Sequence, residues 1–264
     1  MKIWSVANQK GGVGKTTTAV SLAGMCMLHG ARTLLVDMDP HGSLTSYFGY
    51  DPESIQPSLY DIFKSDKYDS IFAHSLIRKT KLDNLDLLPA STAIATLDKQ
   101  LGAKSGMGLA IKNTLQYLDG DYDHVFIDCP PMLGVLMVNA LAACDHLVIP
   151  VQTEFLAMKG LERMLNTLHM IERAKSIDIA YTIVPTMYDK RTRASVDSLK
   201  FLRENYQGHL WSSVIPVDTR FRESSRVGVP ISHYRISARG ARAYSALLDD
   251  ILQRNPDSQQ VVSL

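Results

Sequence analysis

The feature that most constrains this chain is the run Lys10-Gly11-Gly12-Val13-Gly14-Lys15-Thr16-Thr17. Three glycines within four positions let the backbone enter conformations closed to other residues, so successive N–H groups can turn toward a common centre. A short β-rich run, residues 3–6, leads into the loop, and residues 16–28 follow it with apolar side chains at helical spacing. A helix that starts directly behind the loop points its positive end at the same centre, which makes the turn a cradle for an anion. A strand, a Gly-rich turn and a helix in this order open a crossover unit and place the fold in the α/β class.

The rest of the chain continues the alternation. Residues 33–36, 85–88, 124–127, 146–151, 179–184 and 211–215 read as strands, and residues 109–118, 135–143, 157–173, 195–206 and 238–252 carry apolar residues at i, i+3 and i+4. This order predicts a doubly wound, mostly parallel sheet with helices on both faces. With 264 residues, 45% of them hydrophobic, the chain can build one sizeable core. A single domain is expected over residues 1–254, with a tail lacking fixed structure over 255–264. Residues 50–83, polar and rich in turn formers, read as a surface excursion with a short helix near 59–63. In such sheets ligands bind beyond the carboxyl ends of the strands, so the residues just behind strands carry the function.

The 28 basic and 27 acidic side chains nearly cancel, and overall charge names no partner. Cys26, Cys129 and Cys144 stand far apart, with no CxxC pair and no histidine at ligand spacing, which argues against a zinc site or a disulfide framework and fits a reducing cytoplasm. The first seven residues run straight into the Gly-rich turn, too promptly for a signal peptide. No stretch approaches the roughly 18 apolar residues that span a bilayer.

The general phosphate-loop pattern GxxxxGK[ST] asks for glycine where this chain has Gln9. The chemistry survives that miss. Backbone N–H groups of Gly11, Gly12, Val13 and Gly14, continued by Lys15, Thr16 and Thr17, can surround phosphate oxygens; Lys15 adds a point charge between the β- and γ-phosphates. Thr16 offers a hydroxyl to Mg²⁺, a cation that prefers hard oxygen ligands. The second strand closes on Asp37-Met38-Asp39-Pro40, two carboxylates on one strand face that are costly there unless they meet a cation or a donor. Helix capping by Asp39 is the plainer alternative. The strand at 124–127 runs into Asp128, followed by Cys129-Pro130-Pro131.

The string KGGVGKTT resembles the deviant Walker A loop of the ParA/MinD family of P-loop ATPases, whose distinguishing lysine is here Lys10. The resemblance implies a P-loop NTPase fold, ATP and Mg²⁺ as cofactors, and slow hydrolysis stimulated by a partner. It implies a homodimer in the ATP-bound state, with Lys10 reaching across to the partner's nucleotide and acting as an arginine finger does. Asp39 then orients the attacking water, Asp37 supports the metal's hydration shell, and Asp128, as Walker B, holds a metal-bound water. Pro216 and Asp218 fall where the family places the adenine. Arg191 and Arg220 match DNA-binding arginines of Soj-like chromosomal members, in a segment, 186–242, with 11 Lys and Arg against 5 Asp and Glu. A non-specific grip on DNA phosphates would follow.

Branch-level features point further. MinD-type members end in a basic amphipathic helix that lies on the membrane, whereas residues 255–264 hold no basic side chain, so no membrane partner is expected. No helix-turn-helix segment precedes the first strand, which disfavours the plasmid form with its own operator-binding domain. Soj-like members read DPQGNAT after the second strand; this chain reads Asp39-Pro40-His41-Gly42-Ser43-Leu44-Thr45, which is similar to the ParC branch associated with polar chemotaxis arrays. The expected role is a switch that positions such arrays at the cell pole with a polar landmark or chemotaxis partner. The alternative is a chromosome-partitioning ATPase on the nucleoid with a ParB-like partner. An electron donor like the nitrogenase iron protein, with Cys129 as a cluster ligand, is a competitor from another class, and a nucleotide-dependent scaffold without turnover is a third.

Overall fold

The computed structural model describes residues 1–65, 67–97, 107–175 and 178–254. The expected tail at 255–264 lies outside the described residues. Seven strands form one sheet: β1 (Lys2–Val6), β2 (Thr33–Asp37), β3 (Arg78–Lys79), β4 (Leu85–Leu88), β5 (His124–Asp128), β6 (His146–Gln152) and β7 (Ala180–Thr186). Their order is β3-β4-β2-β5-β1-β6-β7, parallel throughout except for β3, which runs antiparallel to β4. The strand order reverses beside β1, and that switch point sets the Gly-rich loop at the centre of the sheet's carboxyl edge.

Side-chain alternation divides the core into two layers. Trp4, Val6, Leu35, Leu87, Phe126 and Val148 face α1 (Lys15–Leu28) and α11 (Arg239–Gln253), where Leu22, Ala23, Leu247 and Ile251 close the layer. Leu34, Val36, Val125, Ile127, Leu147 and Ile149 face the other way, toward α6 (Val135–Ala143) and α7 (Phe155–Lys175). Covered on both faces, the strands read as near-continuous apolar runs. An exception explains itself: Ser5, on β1, donates its hydroxyl to the Ala140 carbonyl of α6 at 2.9 Å.

The fold bears out the doubly wound sheet and corrects two local readings. Residues 211–215 form no strand. Ile215 N–H reaches the Pro185 carbonyl at 2.8 Å and Trp211 N–H the Ile183 carbonyl at 2.9 Å, but Pro185 has no N–H to give and Ser212 and Ser213 turn away, so no ladder propagates beyond isolated bridges. Residues 50–83 are more than a surface excursion. Their helices α3 (Leu59–Lys64) and α4 (Ser70–Ser75) bury Leu59, Ile62, Phe63 and Ala73 over the β4 side of the core, and β3 extends the sheet edge. Short helices α2 (Ser43–Tyr47), α9 (Arg220–Val227) and α10 (Ile231–Tyr234) also escape the periodicity, being too short to show it. The predicted segment 109–118 is α5 (Ala110–Leu115) flanked by 3-10 turns, and 195–206 is α8 (Arg193–Asn205). No helix among the described residues is long and apolar enough to cross a membrane.

Candidate nucleotide site

The loop leaves β1 through buried Asn8, whose side-chain amide donates to the Pro150 carbonyl at 2.8 Å while its Oδ1 accepts Lys10 N–H at 3.1 Å. Val13 is buried, and its carbonyl accepts Thr186 Oγ1 at 2.9 Å, pinning the loop to the end of β7. Gly12 and Gly14 have φ of +76° and +91°. A Cβ at Gly12 would meet nothing within 4 Å, so glycine is needed there for the backbone conformation and not for room. Gly14 caps α1 without any side-chain bond to the first turn. The leading N–H groups of α1 therefore lack the cap a serine or aspartate would give and are free for an anion. Lys15, nearly buried, donates Nζ to the Lys10 carbonyl at 3.2 Å, and Lys10 Nζ is paired with Glu154 at the start of α7.

Three carboxylates gather at the ends of β2 and β5. Asp37 and Asp128 are register partners on adjacent strands, and both are buried. Asp37 accepts Thr45 N–H and Thr45 Oγ1, each at 2.7 Å, and Asp39 N–H at 3.1 Å. Burial pushes its carboxyl up to about 6. Asp128 accepts Thr16 Oγ1 at 2.6 Å on Oδ2, while its buried Oδ1 has no partner among the described residues. Burial first, and then the charge of Asp37, raise the Asp128 carboxyl well above the usual range. Two desolvated carboxylates side by side, an orphaned oxygen and an adjoining threonine hydroxyl fit a hard divalent cation such as magnesium. Asp39 is half-buried; its Oδ1 accepts His41 N–H at 3.0 Å and contacts His41 Nδ1 at 2.8 Å. Gly42 caps α2 with no side-chain bond, so Asp39 does not serve as the helix cap.

Beyond the loop lies a cavity of about 390 Å³, lined among others by Gly14, Thr17, Met187, Pro216, Val217 and Phe221. Met187 has φ +53°, the sole non-glycine in the left-handed region among the described residues, and strain of this kind gathers at ligand sites. Asp218 also borders the cavity, but its carboxylate is taken by Arg220 N–H at 3.1 Å, the Arg220 guanidinium at 3.3 Å and Gly240 N–H at 3.1 Å. Pro216 and Asp218 border a second cleft of about 460 Å³, where Arg191 and Arg220 come together with Lys190 and Arg239. Arg191 forks onto Asp189 at 2.7 Å. Cys129 is buried, its thiol against the Ile127 carbonyl.

Sequence reasoning thus pointed to residues that lie around one edge of the sheet, but it gave no role to Glu154 and none to His41. A glutamate 144 positions from Lys10 leaves no local pattern to read. His41, two residues from Asp39, was visible as a departure from the DPQG string without its consequence being visible.

Residues 1–181 match the AAA domain family. The sporulation initiation inhibitor protein Soj of Bacillus subtilis is 37% identical over 252 residues, 95% of this chain and 98% of that protein. The chromosome partitioning protein ParA of Caulobacter vibrioides is 32% identical over 98% of this chain and 97% of its own. Among solved structures, cobyrinic acid a,c-diamide synthase from Mycobacterium smegmatis with bound ATP analogue and magnesium is 33% identical, with a TM-score of 0.82 over 99% of this chain and 98% of that one. Apo McdA from Cyanothece, at 21% identity and a TM-score of 0.83 over 96% of this chain and 99% of that one, shares the fold. On this near full-length similarity, and with the deviant phosphate loop in place, the chain belongs to the ParA/Soj family of P-loop ATPases.

Proposed function

We propose that this chain is an ATP-driven dimerising switch that positions intracellular cargo, polar chemotaxis arrays above all. The observation that carries the switch is the unfinished state of the loop: open N–H donors at α1, Lys15 resting on a carbonyl of its own loop, and Asp128 Oδ1 without a partner among the described residues. Each is a group whose cost an ATP phosphate or its cation removes. Residues 11–17 hold the phosphates, with Lys15 turning from the Lys10 carbonyl to their oxygens. Thr16, Asp128 and Asp37 would hold magnesium, the latter two through water, and the cation would screen the phosphate charge that opposes attack. Asp39 orients the attacking water. Lys10 leaves Glu154 and reaches the nucleotide of a second copy, where it stabilises transition-state charge. Pro216 and the backbone at Asp218 border the space for the base.

Size measurements with and without MgATP test the switch. Wild type is expected to dimerise with ATP, and Lys10→Ala and Lys15→Ala to stay monomeric; unchanged dimerisation in both variants would sink the model. The cargo reading is supported by the string from His41 to Thr45, which departs from the Soj-like form. Fluorescent tagging should place the protein at the pole. A nucleoid distribution would instead favour partitioning with a ParB-like partner, a second reading supported by the cleft that joins Arg191, Arg220 and Arg239. In that case a folded Arg191→Ala/Arg220→Ala variant should lose salt-sensitive DNA binding. Burial of Cys129 weighs against an electron donor that exposes a cluster ligand.

A further inference from the structure

The loop behind β2 is fixed at several points. Asp37 Oδ1 holds Asp39 N–H at 3.1 Å, Asp37 Oδ2 holds Thr45, and the Asp39 carbonyl accepts Gly42 N–H at 2.8 Å. Pro40 restricts the chain between Asp39 and His41. Gly42 sits at φ +61° with Pro52 so close that a Cβ at Gly42 would lie 2.4 Å from it. On this rigid turn the His41 ring is 81% exposed, yet Nδ1 lies 2.8 Å from Asp39 Oδ1. An ionised carboxylate only accepts hydrogen bonds, so Nδ1 carries the hydrogen. Asp39 Oδ1 thereby receives two donors from one residue, the backbone N–H and the ring N–H of His41.

We propose that His41 is a positioning residue for ATP hydrolysis: by holding Oδ1 of Asp39 from two directions it stops the carboxylate rotating and reserves Oδ2 for the attacking water. This rests on the reading of Asp39 as the water-orienting carboxylate. The ring touches neither phosphate nor metal in this assignment. Its contribution is to the frequency with which a bound water is aligned, so it acts on turnover and leaves ATP binding alone. The Soj-like glutamine at this position would have to span the same distance on a longer, freer side chain, and the shorter asparagine presents its amide N–H where Nδ1 stands.

The test is steady-state phosphate release by the full chain with MgATP, read beside ATP-dependent dimerisation. His41→Ala is expected to lower kcat about three- to tenfold, the scale of one hydrogen bond, with KM for ATP and dimerisation unchanged. His41→Asn should recover most of the lost turnover and His41→Phe none. A His41→Ala variant with wild-type or raised kcat, a change confined to KM, or a His41→Asn variant as slow as alanine would each overturn the proposal. Circular dichroism on all three variants, with asparagine as the isosteric partner, separates lost positioning from lost folding. Asp39→Ala is the independent arm. If it hydrolyses ATP at the wild-type rate, the role of Asp39 fails, and that of His41 with it. If it is inactive while His41→Ala is normal, only the His41 assignment fails.

Discussion

Strand β5 is five residues long and ends in a buried titratable group on either side, His124 at its start and Asp128 at its close. Loss of water drives both toward neutrality: the imidazole falls to about 4 and the carboxyl rises well above its usual range. The surroundings differ. At the amino end the Trp4 indole donates to His124 Nδ1 at 3.2 Å and stacks on Phe126, while His146 Nε2 bonds Thr182 Oγ1 at 3.0 Å. His124 Nε2 is left unpaired among the described residues, but as one end of a neutral ring held among other rings. At the carboxyl end a second carboxylate adjoins Asp128, and Thr16 and Lys15 are held by bonds they can exchange for a ligand. At one end the desolvated ring is carried neutral among aromatic neighbours, with one N–H unpaired among the described residues; at the other, adjoining carboxylates are left for a ligand to settle.

Disturbing the carboxyl end should therefore act on function, and the largest effect is expected from Lys15→Ala. With Lys15 proposed to meet the phosphates, removing its charge should cut phosphate release by on the order of 100-fold or more. The same change should move the urea midpoint of nucleotide-free protein far less than it moves turnover: among the described residues Lys15 donates there to a carbonyl of its own loop, and its charge offsets part of the cost of buried Asp128. A large loss of stability without nucleotide would mean that this end, too, is settled within the fold.

The amino end should answer in stability. His124 is fully buried and its folded pKa, about 4, lies below the unfolded value of 6.5. A depressed histidine leaves stability intact above the unfolded value and takes it away as pH falls toward the folded one, because the unfolded chain binds the proton first. The loss should reach about 3 kcal/mol by pH 4. Asp37 pulls the other way: with a folded pKa of about 6 against 3.8, it takes up a proton in the folded state and favours folding as pH falls below 6. The check is the difference between wild type and His124→Gln in denaturant titrations from pH 7 to pH 4. The variant should gain relative to wild type as pH falls, and parallel curves would break the argument.

The two ends were unequally legible in the sequence. At the carboxyl end, Lys10, Lys15, Thr16, Asp37 and Asp128 stand next to glycines or at the ends of apolar runs, where a charge has few structural uses. A local string therefore named the candidate site. The partner of Lys10 did not show, because Glu154 meets it only when β6 is laid beside β1. At the amino end, Trp4, His124 and His146 are single residues on three separate strands that become neighbours through sheet order alone. The core followed the same division: periodic segments such as 135–143 were read to their boundaries, whereas 211–215 had strand composition without a ladder to join.

Asp128→Asn sharpens the contrast. The amide keeps an acceptor for Thr16 and removes a charge beside Asp37, so nucleotide-free protein should gain about 1–2 kcal/mol in urea denaturation. Magnesium-dependent protection by ATP should disappear in the same variant. A gain in stability accompanied by loss of the ligand response marks a group retained for binding; a loss of stability would show that the Thr16 bond outweighs the repulsion.

The smallest effect is expected from Thr182→Val, at the far end of β7 from the loop. The substitution keeps shape and burial and removes the hydroxyl that His146 Nε2 bonds. One lost hydrogen bond in a dry layer should cost about 1 kcal/mol. Phosphate release and dimerisation at saturating MgATP should equal wild type, because Thr182 lies four residues along β7 from Thr186, the residue that bonds the phosphate loop. A kinetic change at Thr182 would show that the two ends are coupled through the sheet, and the division drawn along β5 would then have to give way to one rigid unit answering to both.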